Sequence, residues 1–262
     1  MKKLRQVLAA CIVSAAFLTG CSAPQETKIR DFDNLAGKKI VVQEGTMFED
    51  MLHEKYPSYN VISVPTFIDI YKTLIAGNAD YGVDEDVTVS LIMAGGLSVD
   101  TSYTNTPPAP MGAVFNKNNT ELQSQFNDFI TELENSGQLA EIRNKWFNSS
   151  SPSTLPVPEG KVKEGKPLNV ITEGDFAPFN LTVGGKISGF EAELSAMFAD
   201  KLGRPLKFTV IPFHEIIQQI ADGKGDMSLA GFSITEERAK IISFSKPYNY
   251  THTILVSMKH AK

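Results

Sequence analysis

Cysteine is nearly absent from this chain. Of 262 residues only Cys11 and Cys21 carry a thiol, both near the start, so no disulfide framework or thiolate metal cluster can hold the body together. The four histidines, His53, His214, His252 and His260, show no metal-ligand spacing. A Gly-x-Ser-x-Gly nucleophile elbow is missing. So is a glycine-rich phosphate loop, since Gly184-Gly185 reads as a hairpin turn. No metal, no cofactor and no catalysis are expected. Basic charge is also in short supply, at 25 Lys and Arg against 30 Asp and Glu. An acidic surface argues against nucleic acid, whose phosphates demand Lys and Arg.

Long apolar runs are scarce too. The first, Val7 to Leu18, follows the basic start Met1-Lys2-Lys3-Leu4-Arg5 and falls short of the about 20 residues that cross a bilayer. Basic start, apolar stretch and small-residue ending read as an export signal. Leu18-Thr19-Gly20-Cys21 resembles the bacterial lipobox, which implies removal of residues 1–20 and acylation of Cys21. An ordinary signal peptide or a short core helix are the alternatives. Loss of Lys2, Lys3 and Arg5 leaves 22 basic residues against 30 acidic ones, so the formal charge moves from -5 to -8. Residues 21–27, polar and containing Pro24, suit a tether. No second long apolar run follows, so a soluble body held at a membrane by its acylated N-terminus is expected.

Two segments of alternating strand and helix flank one linker, residues 148–165, rich in Ser, Pro, Gly and charge and expected to be flexible. Before it, Lys39–Gln43, Val61–Val64 and Tyr81–Val83 read as strands. Helices from Met47 to Lys55 and from Phe67 to Gly77 connect them. That order implies parallel pairing through crossover helices. Apolar residues from Leu122 to Trp146 mark helical faces broken at Gly137. After the linker come a strand at Leu168–Ile171, a turn at Asp175–Phe179 and a helix from Phe190 ended by Gly203. Strands at Leu206–Val210, Met227–Gly231 and Thr253–Met258 and a helix at Phe213–Ala221 complete the reading.

The motifs Ser188-Gly189-Phe190-Glu191, Ser233-Ile234-Thr235-Glu236-Glu237-Arg238 and Phe244-Ser245-Lys246-Pro247-Tyr248 resemble the extracellular solute-binding proteins of ABC importers, in the polar amino acid branch. So do Leu35-Ala36-Gly37, Gly45-Thr46 and Lys145-Trp146-Phe147. The resemblance covers nearly everything from Lys28 to Met258, but with the family's second portion ahead of its first, as in a circular permutant. It implies an α/β, two-lobe periplasmic binding protein-like (type II) fold, circularly permuted, with the linker joining the family's usual termini. Lobe B would comprise residues 28–111 and 254–262, and lobe A residues 112–253. The chain would cross between them at about 112–116 and 251–254.

The same resemblance implies the site. Arg238 would grip a ligand α-carboxylate with its planar fork, helped by Ser233, Gly231 and, from the other lobe, Thr46. A solvated helix charge is the plain alternative for Arg238, and an N-cap for Thr46. The ligand amine would meet Glu85, with the register open to Asp84 or Asp86. Glutamate there departs from the family's aspartate. Phe176 and Phe213 would wall the ligand side chain, unless they are core residues. Glu173 would lie near the pocket mouth, available to a basic side chain. The implied function is capture of an amino acid or similar zwitterion by a monomer that passes it to an ABC transporter permease at the envelope of a bacterium. A sensory binding module, a dehydratase-like enzyme on the same fold and a swapped dimer remain as alternatives.

Overall fold

Short apolar strands joined by amphipathic helices build two parallel-cored sheets. The computed structural model describes residues 32–104 and 106–259. The export signal, Cys21, the 21–27 tether and the expected start of lobe B at residue 28 lie outside the described residues. Strand β1 (Lys39–Gln43) leads through helix α1 (Met47–Lys55) to β2 (Asn60–Val64). Helix α2 (Phe67–Ile75) then leads to β3 (Tyr81–Glu85), and α3 (Asp86–Ala94) to β4 (Val99–Tyr103). Both β2 and β3 pair parallel to β1, as crossover helices require. Val41 faces α2, whereas Ile40 and Val42 face the opposite side with Phe48 and Leu52 of α1. Burial on both faces explains why β1 is a continuous apolar run.

The second sheet repeats this plan. After β5 (Ala109–Met111) and β6 (Val114–Phe115), helices α4 (Thr120–Asn135) and α5 (Gln138–Phe147) break at Gly137, whose φ of 79° suits glycine. Then come β7 (Leu168–Thr172), β8 (Asp175–Phe176), β9 (Asn180–Val183), β10 (Lys186–Ser188) and α6 (Phe190–Lys201). The rest is β11 (Leu206–Val210), α7 (Phe213–Ala221), β12 (Met227–Ser228), α8 (Glu236–Ala239), β13 (Ser243–Phe244), β14 (Asn249–Thr251) and β15 (Thr253–Met258). The sheets run β2-β1-β3-β15-β4 and β11-β7-β12-β6-β13. In each, three parallel strands are followed by an antiparallel strand arriving from the other lobe: β15 in the first, β6 in the second. The fold is therefore α/β and two-lobed.

The chain passes between sheets through β5 and β14, and these two strands pair antiparallel with each other, Met111 opposite Asn249. The linker is more fixed than its composition suggests. Pro152 is buried, and the backbone N–H groups of Lys161 and Val162 donate to Asp200 Oδ1 at 2.5 and 3.2 Å. Both its ends, α5 and β7, belong to the same lobe. Helix α3 and strands β4, β13 and β14 depart from the expectation, and β12 stops at Ser228, short of the expected Gly231, whose φ is 66°. Among the described residues no helix is long and apolar enough to cross a membrane.

Candidate ligand-binding site

Parallel strands present their carboxyl ends to a crevice. Here the ends of β1 and β3 in one lobe face the end of β7 in the other, with Gln43, Glu85 and Glu173 at the tips. Between the lobes lies a small, narrow cavity. It brings together all nine residues picked from sequence. Thr46, Asp84 and Glu85 come from one lobe; Glu173, Phe176, Phe213, Gly231, Ser233 and Arg238 come from the other.

Arg238 sits in the short helix α8, whose N-cap Thr235 accepts a bond from the Arg238 backbone N–H at 3.2 Å. Its guanidinium donates from Nη1 to the Ser233 carbonyl at 3.1 Å and from Nη2 to the Gly45 carbonyl of the other lobe at 2.9 Å. It lies 5.7 and 5.5 Å from the ring centres of Phe213 and Phe232. Its partners are carbonyls and rings, so no ion pair among the described residues neutralises its charge. Burial draws its pKa down to about 10, opposed by Asp50 and Glu85, and it stays cationic at neutral pH. Gly45 lets the lobes meet: a Cβ there would stand 2.8 Å from His214 Cα. Thr46 caps α1, its hydroxyl donating to the Gln43 carbonyl at 2.8 Å and accepting from Glu49 N–H.

The acids divide cleanly. Asp84 has both oxygens engaged: one accepts from Tyr71 OH, the other from Glu85 N–H at 2.6 Å and Thr88 Oγ1 at 2.8 Å. Burial still pushes its pKa up to about 7, with the Tyr71, Glu85 and Thr88 bonds pulling the other way. Asp86 opens α3 and pairs with His252 at 3.0 Å, away from the cavity. Glu85, only 5% exposed, keeps Oε2 without a hydrogen-bond partner among the described residues. Burial first, then repulsion by Asp84 and Asp86, holds its carboxyl well above the usual range. Of the three neighbours, Glu85 alone is aimed and unsatisfied. Glu173 is likewise raised, by burial and then by Asp175, while its Oε2 accepts from Gln43 Nε2 across the cleft at 2.8 Å.

The aromatic walls are both wall and core. Phe176 stacks on Phe179 and meets Phe67 of the other lobe edge-on at 5.5 Å between centroids. Phe213 stacks on Phe232 at 4.8 Å. Phe179, Phe190 and Phe232 are fully buried. Sequence reasoning missed Gln43, Met47, Phe48 and Phe67 on the wall of the first lobe. The rule that parallel sheets bind at their carboxyl ends points to Gln43; the apolar three carry no local signal.

The sequence pattern of the bacterial extracellular solute-binding proteins, family 3, matches residues 23–149 and 168–262, most of the chain. The chain belongs to this family. Residues left between the two matched parts, 150–167, lie largely in the linker. This family 3 protein is 31% identical over 98 residues to an octopine-binding periplasmic protein of Rhizobium meliloti, covering 37% of this chain and 33% of that one. It is 29% identical over 132 residues to a putative ABC transporter arginine-binding protein 2 of Escherichia coli (strain K12), covering 47% and 53%. Among solved structures, the arginine-bound form of domain 1 from TmArgBP is 33% identical, covering 34% of this chain and 79% of that chain, with a TM-score of 0.31. The family 3 protein thus spans from a third to about half the length of these curated relatives.

Proposed function

We propose that this chain captures an amino acid between its lobes, the α-carboxylate on Arg238 and the α-amine on Glu85, and hands it to an ABC importer. One observation carries the reading. Among the described residues, a buried guanidinium with no ion pair and a buried carboxyl oxygen with no partner face one cavity from opposite lobes, which is the charge complement of a zwitterion. Ser233 and Thr46 flank the carboxylate side, Gly231 forms close-packed wall there with its N–H given to Glu191, and Phe176 and Phe213 wall the side chain. Glu173 gives the cavity a second acidic group in its lining, which favours a basic amino acid as the ligand. The names of relatives that bind arginine and octopine point the same way.

In this reading Cys21 is acylated and ties the protein to the outer face of a bacterial membrane, with residues 21–27 as tether. The lobes, 28–111 with 254–262 and 112–253, close on the ligand as rigid bodies. The order of segments is a circular permutation of the family's, with 148–165 joining the usual termini. The protein acts as a monomer and performs no chemistry on its cargo.

A thermal-shift screen of the chain from residue 22 onward, against arginine, lysine, histidine, glutamine and glutamate, tests the reading. Arginine or lysine raises the unfolding midpoint in proportion to affinity, and calorimetry gives the Kd. A preference for glutamate, or no shift with any amino acid, refutes it.

A further inference from the structure

Behind the cavity wall lies a carboxylate that touches no cavity space. Glu191, on the first turn of α6, is 1% exposed. Its Oε1 accepts from the Gly231 N–H at 2.8 Å and from Tyr248 OH, and its Oε2 accepts from Asn180 Nδ2 at 2.8 Å. Asn180, also 1% exposed, accepts on Oδ1 from the Gly174 N–H at 2.9 Å, which fixes the direction of its amide. Among the described residues no cation pairs with Glu191; neutral donors alone satisfy it.

The two arms end at the two halves of the wall. Gly231 leads through Phe232 to Ser233, whose carbonyl receives Arg238 Nη1. Gly174 separates Glu173 from Asp175. Gly231 is also pressed on Phe176, since a Cβ there would lie 2.4 Å from the ring. The backbone at Gly231 and at Gly174 therefore adjoins the segments that carry the Arg238 fork and the Glu173 carboxylate.

We infer that Glu191, with Asn180 as its relay, is a positioning residue for ligand binding, setting the spacing of the Gly231–Ser233 and Glu173–Asp175 segments without meeting the ligand. The inference rests on the amino acid reading above. It explains why a buried acid is kept here: one carboxylate accepts from three donors at once, and an amide in its place has only one oxygen to offer.

The network can be reversed chemically. Glu191→Gln sets an NH2 against the Asn180 NH2, and turning the Asn180 amide would aim its NH2 at the Gly174 N–H. Asn180→Asp alone sets two carboxylates face to face. In the double variant the new amide donates to the new carboxylate, whose other oxygen accepts from Gly174, and Gly231 and Tyr248 keep their acceptor. Two readouts apply: the Gly231 amide proton shift in ligand-free protein by NMR, displaced downfield by a carboxylate acceptor, and the Kd for L-arginine by calorimetry.

Each single variant is expected to move the Gly231 amide and weaken arginine binding by about tenfold or more. The double variant is expected to recover both, to within about threefold in Kd. An unmoved Gly231 amide in Glu191→Gln, or a folded double variant no better than the singles, overturns the inference. Should a single variant not fold, the double decides alone, by keeping or losing wild-type affinity and shift. A wild type that shows the Gly231 signature but binds no amino acid sinks the functional reading instead, and the amide shifts still judge the network.

Discussion

Replacing Glu85 with glutamine should weaken the ligand's hold and strengthen the empty protein at the same time. The glutamate is nearly sealed from solvent, one oxygen has no partner among the described residues, and Asp84 and Asp86 repel its charge. An unsatisfied buried polar group costs about 1 to 3 kcal/mol. Glutamine has the same shape without the charge, so the burial of a charge and its repulsion by Asp84 and Asp86 are relieved while one polar atom stays without a partner. For a domain of this size relieving about 1 kcal/mol raises the midpoint by roughly 2 to 4 °C, and a rise of that order is expected. The sign depends on pH. Because the folded-state pKa is raised, protonation favours the fold: the native protein is not penalised at low pH and is penalised increasingly as pH climbs. The gain from Glu85→Gln therefore grows as pH rises above the ordinary glutamate range. Affinity moves the other way, since losing the charged acceptor of a buried amine costs at least about 2 kcal/mol, or about 30-fold in Kd. Thermal unfolding of ligand-free protein across pH, with calorimetry against arginine, reads both. A destabilised empty variant, or an unchanged Kd, would refute the assignment of Glu85.

Gly45→Ala should prop the cleft open, because its Cβ meets backbone of His214. Gly77→Ala is the control, having a similar φ, 71° against 75°, and nothing within 4 Å; only the first should weaken arginine binding, by about tenfold, and enlarge the scattering radius of the liganded protein. Arg238→Lys keeps the charge but cannot reach the Ser233 and Gly45 carbonyls as a fork, so binding should weaken by about 2 kcal/mol or more, about 30-fold in Kd, in calorimetry; parity with wild type would remove Arg238 from the site. Asp84, pushed up to about 7, favours the fold when protonated, a contribution complete below the unfolded value of about 3.8 and lost as pH rises through 7. Urea unfolding of the empty protein should accordingly show Asp84→Asn gaining stability over wild type as pH rises from about 4 to 8, and a constant difference would contradict it.

Much of the fold is legible in local patterns. Strands β1, β11 and β15 and helices α1 and α7 have the expected bounds, because apolar runs end at Glu44-Gly45, Pro212 or polar turns that stop them physically. Helix α3 escaped notice since Asp-Val-Thr-Val-Ser-Leu-Ile-Met-Ala carries β-branched residues and no clear polar face. The β5–β14 pair has no local signature: Ala-Pro-Met and Asn-Tyr-Thr become strands only by finding each other across the whole of one lobe. The cavity residues were legible as a set through the motifs around Arg238 and Gly45-Thr46. Which acid is unsatisfied was not, because Asp84 and Glu85 point to opposite faces of one strand, and only three-dimensional neighbours such as Tyr71 and Thr88 decide who is paired. Glu191 lay in a quoted motif, yet its role depends on Asn180 and Gly231, 11 and 40 positions away.

The paired crossing strands have a mechanical corollary. Two separate tethers would let the halves slide, splay and twist independently; two tethers laced edge to edge behave as a single ribbon, which twists readily but shears poorly. Pro107, Pro108 and Pro110 stiffen one border of that ribbon by fixing their torsions. Any motion of one half against the other would thereby be funnelled into a narrow family of rotations, and the guanidinium that reaches Gly45 would be returned to the same address each time the halves met.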